Sequence, residues 1–410
     1  MSAPTSTCCA PSVSSSARST PPIPTRPISV APGPTRSCRS GSGDRRDEPP
    51  APDRARGHID VAGETVHAGT ATWWGRRLVQ KKLRLDAAAA GQAPPPVTDV
   101  DFLVGVSDHS RQGNLGYAEP GTGEFLVSGA TVPKLVALPD LLAAADRVAA
   151  DDDPETAAAL KTLLDAGSTT LGGARPKASV EDEGRLLIAK FPHQDDEWDV
   201  MAWEKTALDL AERCGIEVPE RRLVDVGGRH VLMLTRFDRA AERLGYISVR
   251  TLSEARSSAG NDYLDMVAAI EDHSANAVSD LRATWHRIAF TVAANNTDDH
   301  FRNHGFLRTR GGWTLAPAFD INIDPRLERG RATSLAGADR REASLRALVH
   351  GAAYFGMAED EATAGLHRIA EVLEDWRAVA RSNDVPDREL DHVGLVLDDY
   401  RARVGAAGHG

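Results

Sequence analysis

Cysteine is scarce in this chain and poorly placed for cross-linking. Of the four, Cys8, Cys9 and Cys38 stand near the start and Cys214 is alone in the body. That spacing excludes a disulfide framework and a thiolate metal site, and it points to a reducing cytoplasm. Long apolar runs are missing too: the longest are strand-sized pieces such as Leu186-Leu187-Ile188-Ala189, far short of a membrane span. No apolar segment follows Met1, which argues against a secretory signal. There is no excess of positive charge. The 48 basic and 59 acidic residues give a net of −11, which argues against a protein that coats nucleic acid. Aromatic residues are absent from the first 56 positions, which hold 11 of the 24 prolines, 11 serines and eight arginines. Such a segment cannot bury enough surface to offset its ordering entropy, so a disordered tail is expected there.

Beyond the tail the hydrophobic pattern changes twice. From about Gly57 to Pro139 it suggests short strands and turns, with Phe102–Asp108 strand-like and glycines at 113, 116, 121 and 123. Leu138 to Leu164 has helical spacing. Gly167 to Pro192 is strand–turn–strand, Trp198 to Cys214 a helix stopped by Gly215, and Arg222–Val226 and His230–Phe237 two further strands. After Asp262 the chain is mostly helical, with a clear stripe of Leu366, Ile369, Val372, Leu373 and Trp376. The expected class is α+β. A β-rich lobe over residues 140–260 is followed by an all-helical lobe over 261–410, the order of a bilobal kinase.

One motif stands out. In Asp298-Asp299-His300-Phe301-Arg302-Asn303 an acidic residue precedes Asn by five positions, the spacing of a kinase catalytic loop. There the Asp orients and deprotonates a hydroxyl and the Asn holds magnesium. Asp298 fits that spacing and Asp299 does not. Asp320, in Ala318-Phe319-Asp320-Ile321, stands where a second metal ligand is needed. Magnesium prefers hard oxygen ligands and keeps several waters, so one Asn, one Asp and phosphate oxygens suffice. His300 is a candidate to brace the loop or touch phosphate. It is a poor zinc ligand, because only His304 is near and no third ligand completes a tetrahedron.

Upstream, Gly172 and Gly173 permit close approach of backbone to phosphate, although a Gly pair is more often an ordinary turn. Lys190 ends an apolar strand, as either an edge residue or a phosphate ligand. Glu204 falls on the same helix face as Val200, Ala207, Leu208 and Ala211. A carboxylate on a buried stripe is costly without a cation, and Lys190 is the evident partner. The alternative is a Glu at the rim that reaches water.

With these residues in view, the chain resembles the HipA family of serine/threonine kinase toxins, whose fold is similar to that of lipid-kinase-related protein kinases. The resemblance rests on ordered blocks: Gly172–Lys177, Ala189–Pro192, Gly215–Glu220, Arg236–Arg239, Thr297–Phe306 and Pro317–Ile321. It implies ATP and Mg²⁺, with Asp298 catalytic, Lys190 on nucleotide phosphate and Asn303 and Asp320 on the metal. It implies a phosphate loop including Gly172, Gly173, Ala174, Arg175 and Lys177, and an adenine-contacting hinge of Thr235, Arg236 and Phe237. Thr170 falls where the family phosphorylates itself on Ser, and residues 57–139 stand for a truncated β-rich N-terminal domain. Implied partners are a small helix-turn-helix antitoxin, DNA mainly through that antitoxin, and a translation component such as an aminoacyl-tRNA synthetase as substrate. The alternatives are an aminoglycoside-type phosphotransferase and a kinase-shaped regulatory module without activity.

Overall fold

The computed structural model describes residues 73–117, 132–150, 156–169, 173, 175–240, 242–255 and 260–407, all within the unit Val61–Gly410. The tail, the stretch around Gly121 and Gly123, and the site candidates Thr170, Gly172 and Ala174 lie outside the described residues.

The first described elements are helices, α1 (Trp73–Ala89) and α2 (Asp99–Val104). This corrects the β-rich expectation for residues 57–139 wherever that stretch is described up to Val104. Two physical reasons stand out. Along α1, Trp74 and Leu78 are four apart and both buried, in a run of Arg, Leu, Gln and Lys that favours helix. At α2, Thr98 and Asp101 form a reciprocal capping box, with Thr98 N–H donating to Asp101 Oδ2 at 2.8 Å.

Helices α3 (Leu138–Ala150) and α4 (Thr156–Asp165) follow. Next come β1 (Lys177–Asp182), β2 (Arg185–Lys190), α5 (Val200–Arg213), β3 (Arg221–Val226) and β4 (Arg229–Thr235). The four strands make an antiparallel sheet in the order β1-β2-β4-β3. The β1–β2 turn places Glu183 and Gly184 at φ 48° and 78°, the paired left-handed conformations that a two-residue hairpin needs.

Strand alternation divides the sheet into two faces. Ala178, Val180, Leu187, Ala189, Val231 and Met233 pack against α1, α3 and α4. Leu232 and Leu234 face α5 and the larger core. Lys190 is in step with Ile188, which also packs toward that core, so the lysine enters the molecule on the α5 side.

The remainder is β5 (Tyr246–Ser248), α6 (Val249–Leu252), β6 (Asn261–Asp262), α7 (Tyr263–His273), α8 (Ala277–Ala293), β7 (Gly305–Thr309), β8 (Gly312–Leu315), β9 (Thr333–Ser334), α9 (Arg341–His350), α10 (Glu359–Val372), α11 (Trp376–Ser382), α12 (Asp387–Leu390) and α13 (Leu395–Ala407). The second lobe is mainly helical but not all-helical as expected, because it also carries two small sheets: antiparallel β5-β7-β8 and the two-residue parallel pair β6–β9. The turn Arg310-Gly311 reverses the chain between β7 and β8, and hairpins of this size need only a few residues.

Trp376 is fully buried, and a Cβ built on Gly394 would overlap its six-membered ring. Gly394→Ala should therefore lower stability by about 1–3 kcal/mol through overpacking. Urea unfolding checks this, and an unchanged midpoint would show that the ring has room to move.

Candidate active site

β2 delivers Lys190 to the inner end of the sheet, and α5 delivers Glu204 opposite it. The ammonium donates to Glu204 Oε1 at 2.5 Å and to Asp320 Oδ1 at 2.6 Å. Glu204 is 1 % exposed, so the expectation of a paired, buried carboxylate holds and the solvent-facing alternative does not. Burial alone would lower the Lys190 pKa, but Asp320 and Glu204 outweigh it and keep the ammonium charged. Burial raises the Glu204 pKa, opposed by Lys190. For Asp320 burial acts upward, yet Lys190 and Lys177 hold the carboxyl well below the usual range.

Asp320 sits at φ +61°, a left-handed conformation that non-glycine residues seldom adopt. Its neighbour Phe319 lies 5.7 Å from Phe237, and Phe237 lies 6.1 Å from Tyr246, so an aromatic row links the end of β4 to Asp320.

The β1–β2 register sets Lys177 directly opposite Lys190. Two ammonium groups on one buried face repel, and the pair is sustained by the two carboxylates beside it. Gly173, at φ +93°, runs close over this group. A Cβ there would lie 2.5 Å from Lys177 Nζ and 3.9 Å from Asp320 Oδ2. The backbone at Gly173 thus lies against the Lys177 ammonium, with the Asp320 carboxylate just beyond it.

The loop after α8 is held from below. Asn295 Nδ2 donates to the carbonyl of Asp324 at 2.7 Å, and the Thr297 hydroxyl to Asp324 Oδ2 at 2.6 Å. Asp299 is buried, accepts from the Tyr263 hydroxyl, and lies 3.0 Å from His304 Nε2. Burial would raise its pKa, but His304 and the Tyr263 bond lower it. Asp299 is therefore an anchor, and Asp298 is the exposed acid of the pair. Asn303 Nδ2 donates to the Asp298 carbonyl at 3.4 Å, and among the described residues no donor claims its Oδ1. His300 joins this loop to the lysine cluster. Its ring helps depress both Asp299 and Asp320, and its buried Nδ1 has no hydrogen-bond partner among the described residues.

Other candidates are engaged elsewhere. The Arg175 guanidinium is bidentate on Asp196 at 2.8 and 2.9 Å. Arg236 is buried, binding Asp238 at 2.6 and 2.9 Å and the carbonyls of Ser110 and Arg111. The Thr235 hydroxyl donates to Glu220 at 3.3 Å. The polar side chains of these three residues are thus taken up by neighbouring protein groups. The anchoring role of Asp299 was legible only in part: the polar run after an apolar helix signals a structured loop, but Tyr263 lies 36 residues away.

A four-stranded sheet, a helix whose Glu meets the sheet lysine, and a helical lobe that contributes an Asp define a bilobal, protein-kinase-like α+β fold. The chain belongs to the HipA-like family: its C-terminal domain model matches residues 169–380, just over half of the chain. HipA of Shewanella oneidensis MR-1, solved with HipB and operator DNA, shares the fold. Its TM-score is 0.53 at 15% identity, over 80% of this chain and 84% of that one. A Haemophilus influenzae protein named "Putative kinase" is 24% identical over 261 residues, which cover 55% of this chain and 75% of that protein.

Lys177 supplies a test of the cluster's charge. Burial first, then Lys190, push its pKa down to about 8, whereas an unfolded Lys titrates near ~10.4. Between these values the unfolded chain binds more protons, so this group makes stability rise with pH over that window, by on the order of 2–3 kcal/mol. The stability of the wild type relative to Lys177→Met, from urea unfolding, should therefore increase from about pH 8 to pH 10. A difference that is flat with pH would mean Lys177 is not held among these charges.

Proposed function

We propose that this chain is an ATP- and magnesium-dependent serine/threonine protein kinase, the toxin half of a toxin–antitoxin pair. The observation that carries the reading is Lys190 held between Glu204 and Asp320. A strand lysine paired to a helix glutamate, beside an acidic residue from the second lobe, is the arrangement on which phosphoryl transfer in kinases depends.

The residues present suit nucleotide and metal. Asn303 offers an amide oxygen and Asp320 a carboxylate, the hard donors magnesium takes, with phosphate and water completing its shell. Among the described residues no three His, Cys, Asp or Glu side chains cluster as a metal cage, and a phosphate-bridged magnesium needs none. Lys177 and Lys190 present two cations to phosphate, beneath the backbone at Gly173. Bound ATP would supply the phosphoryl group. The chain's own work is to orient phosphates with Lys190 and Lys177, to set the hydroxyl acceptor against Asp298, and to take its proton there. Thr170 is proposed as the self-phosphorylation site, with Gly172 and Ala174 in the phosphate loop.

Partner and substrate follow from likeness. The Shewanella oneidensis HipA structure is a complex with HipB and operator DNA. For this chain we accordingly assign a small helix-turn-helix antitoxin, which carries most of the DNA contact and suits a net charge of −11. The substrate assigned is a translation component such as an aminoacyl-tRNA synthetase, in the cytoplasm. Among the described residues no helix is long and apolar enough to cross a membrane.

Purified protein incubated with radiolabelled ATP and magnesium should incorporate label into protein. Asp298→Ala should reduce incorporation by roughly 100-fold or more, and chelation of magnesium should abolish it. Equal labelling of wild type and Asp298→Ala contradicts the assignment. Label found on an aminoglycoside and not on protein would favour a small-molecule phosphotransferase, and no transfer in any arm an inactive kinase-shaped module.

A further inference from the structure

Glu204 reaches Lys190 only if α5 keeps its rotation and height, and the structure shows what fixes both. Adjacent residues on a helix point about 100° apart, so holding Trp203 in place fixes the direction of Glu204. The Trp203 indole N–H donates to Glu389 Oε2 at 3.0 Å, and the backbone N–H of Asp199, at the start of α5, donates to the same oxygen at 3.0 Å. The Trp203 ring lies against Trp376 at 6.1 Å between centroids. One turn along, Asn383 takes three further grips. Its Oδ1 accepts from Lys205 Nζ at 2.7 Å, and its Nδ2 donates to Thr206 Oγ1 at 3.1 Å and Asp209 Oδ2 at 2.8 Å. Glu389 and Asn383 are 6 % and 3 % exposed.

These contacts attach α5 to the C-terminal helices as well as to the sheet it serves. Both Glu389 and Asn383 lie beyond residue 380, where the match to the family model ends. In kinases the position of the equivalent helix decides whether the Lys–Glu pair forms and hence whether the enzyme is active. We infer that Glu389 and Asn383 are positioning residues for the Lys190–Glu204 pair, and that the segment Trp376–Leu390 is a built-in activating element clamping α5 in the productive position. The inference rests on the kinase reading for its activity consequence, and on geometry alone for the pair itself.

The same partners explain why an aliphatic contact would not serve. Removal of the Glu389 carboxylate orphans the buried Trp203 indole N–H and the half-buried Asp199 N–H, and a buried unpaired donor is costly enough to favour a shift of the helix. A Gln at 389 retains an oxygen that accepts from both.

The test uses the full chain, under conditions where circular dichroism shows native helix content for every variant. Lys190 is probed with an amine-acylating reagent, read peptide by peptide by mass spectrometry, and transfer from ATP is measured in parallel. In Glu389→Ala, labelling of Lys190 should rise several-fold, and kcat should fall about tenfold or more with less than about a threefold change in KM for ATP. Glu389→Gln should restore both. In a Glu204→Gln background, adding Glu389→Ala should change neither quantity by more than about twofold, because the pair it acts through is already broken. Should Glu389→Ala not fold, Asn383→Ala is read by the same criteria. Wild-type labelling of Lys190 in a folded variant overturns the inference, as does an equal loss in both backgrounds. A wild-type chain that transfers no phosphate would instead count against the kinase reading, while the labelling of Lys190 still judges the clamp.

Discussion

A buried ammonium is among the costliest groups a protein interior can hold, and here one ammonium organises the structure around it. Lys190 is 6 % exposed. Its two carboxylate partners come from a helix in one lobe and an irregular segment 130 residues further on in the other. Removal of either leaves charge uncompensated in a medium of low dielectric. The pair Lys190–Glu204 ties β2 to α5, and Lys190–Asp320 ties the sheet to the helical lobe. Asp320 is held at a left-handed φ in the process. A second lysine, Lys177, faces the first across the strand pair and adds positive charge that the two carboxylates must also balance. Two ammonium groups are thus matched by two carboxylates beneath the backbone of Gly173.

The rest of the structure holds that cluster in place. In the loop after α8, Asn295, Thr297 and Asp299 turn inward to Asp324, Tyr263 and His304, which leaves Asp298 outward. Behind α5, Glu389 and Asn383 fix the helix from the C-terminal side. Just after β4, Arg236 and Asp238 are spent on the carbonyls of Ser110 and Arg111 and the N–H of Gly113. Each of these supports is polar and nearly dry. Such networks specify one arrangement because partial satisfaction is so costly.

Legibility from sequence followed the range of the interactions. Glu204 was readable because a carboxylate on an apolar stripe demands a cation. Strands β1–β4 and the longer helices after residue 138 were readable from their period, whereas the short strands β5–β9 were not. Helices α1 and α2 were not: Trp73-Trp74-Gly75 resembles a turn until the following Leu78 is seen to pack with Trp74, and the Thr98–Asp101 box was overlooked. The direct opposition of Lys177 and Lys190 needs the strand register, which a two-residue turn at Glu183-Gly184 sets. The Glu389–Trp203 contact spans 186 residues and has no local signature at all.

The most direct measurement is a crystal structure with a non-hydrolysable ATP analogue and manganese, the metal located by its anomalous signal. The ion should be bound by Asp320 and Asn303, with Lys190 on a phosphate oxygen while still paired to Glu204. Nucleotide lodged elsewhere, or metal bound without Asp320, would contradict the assignment of this cluster to phosphoryl transfer.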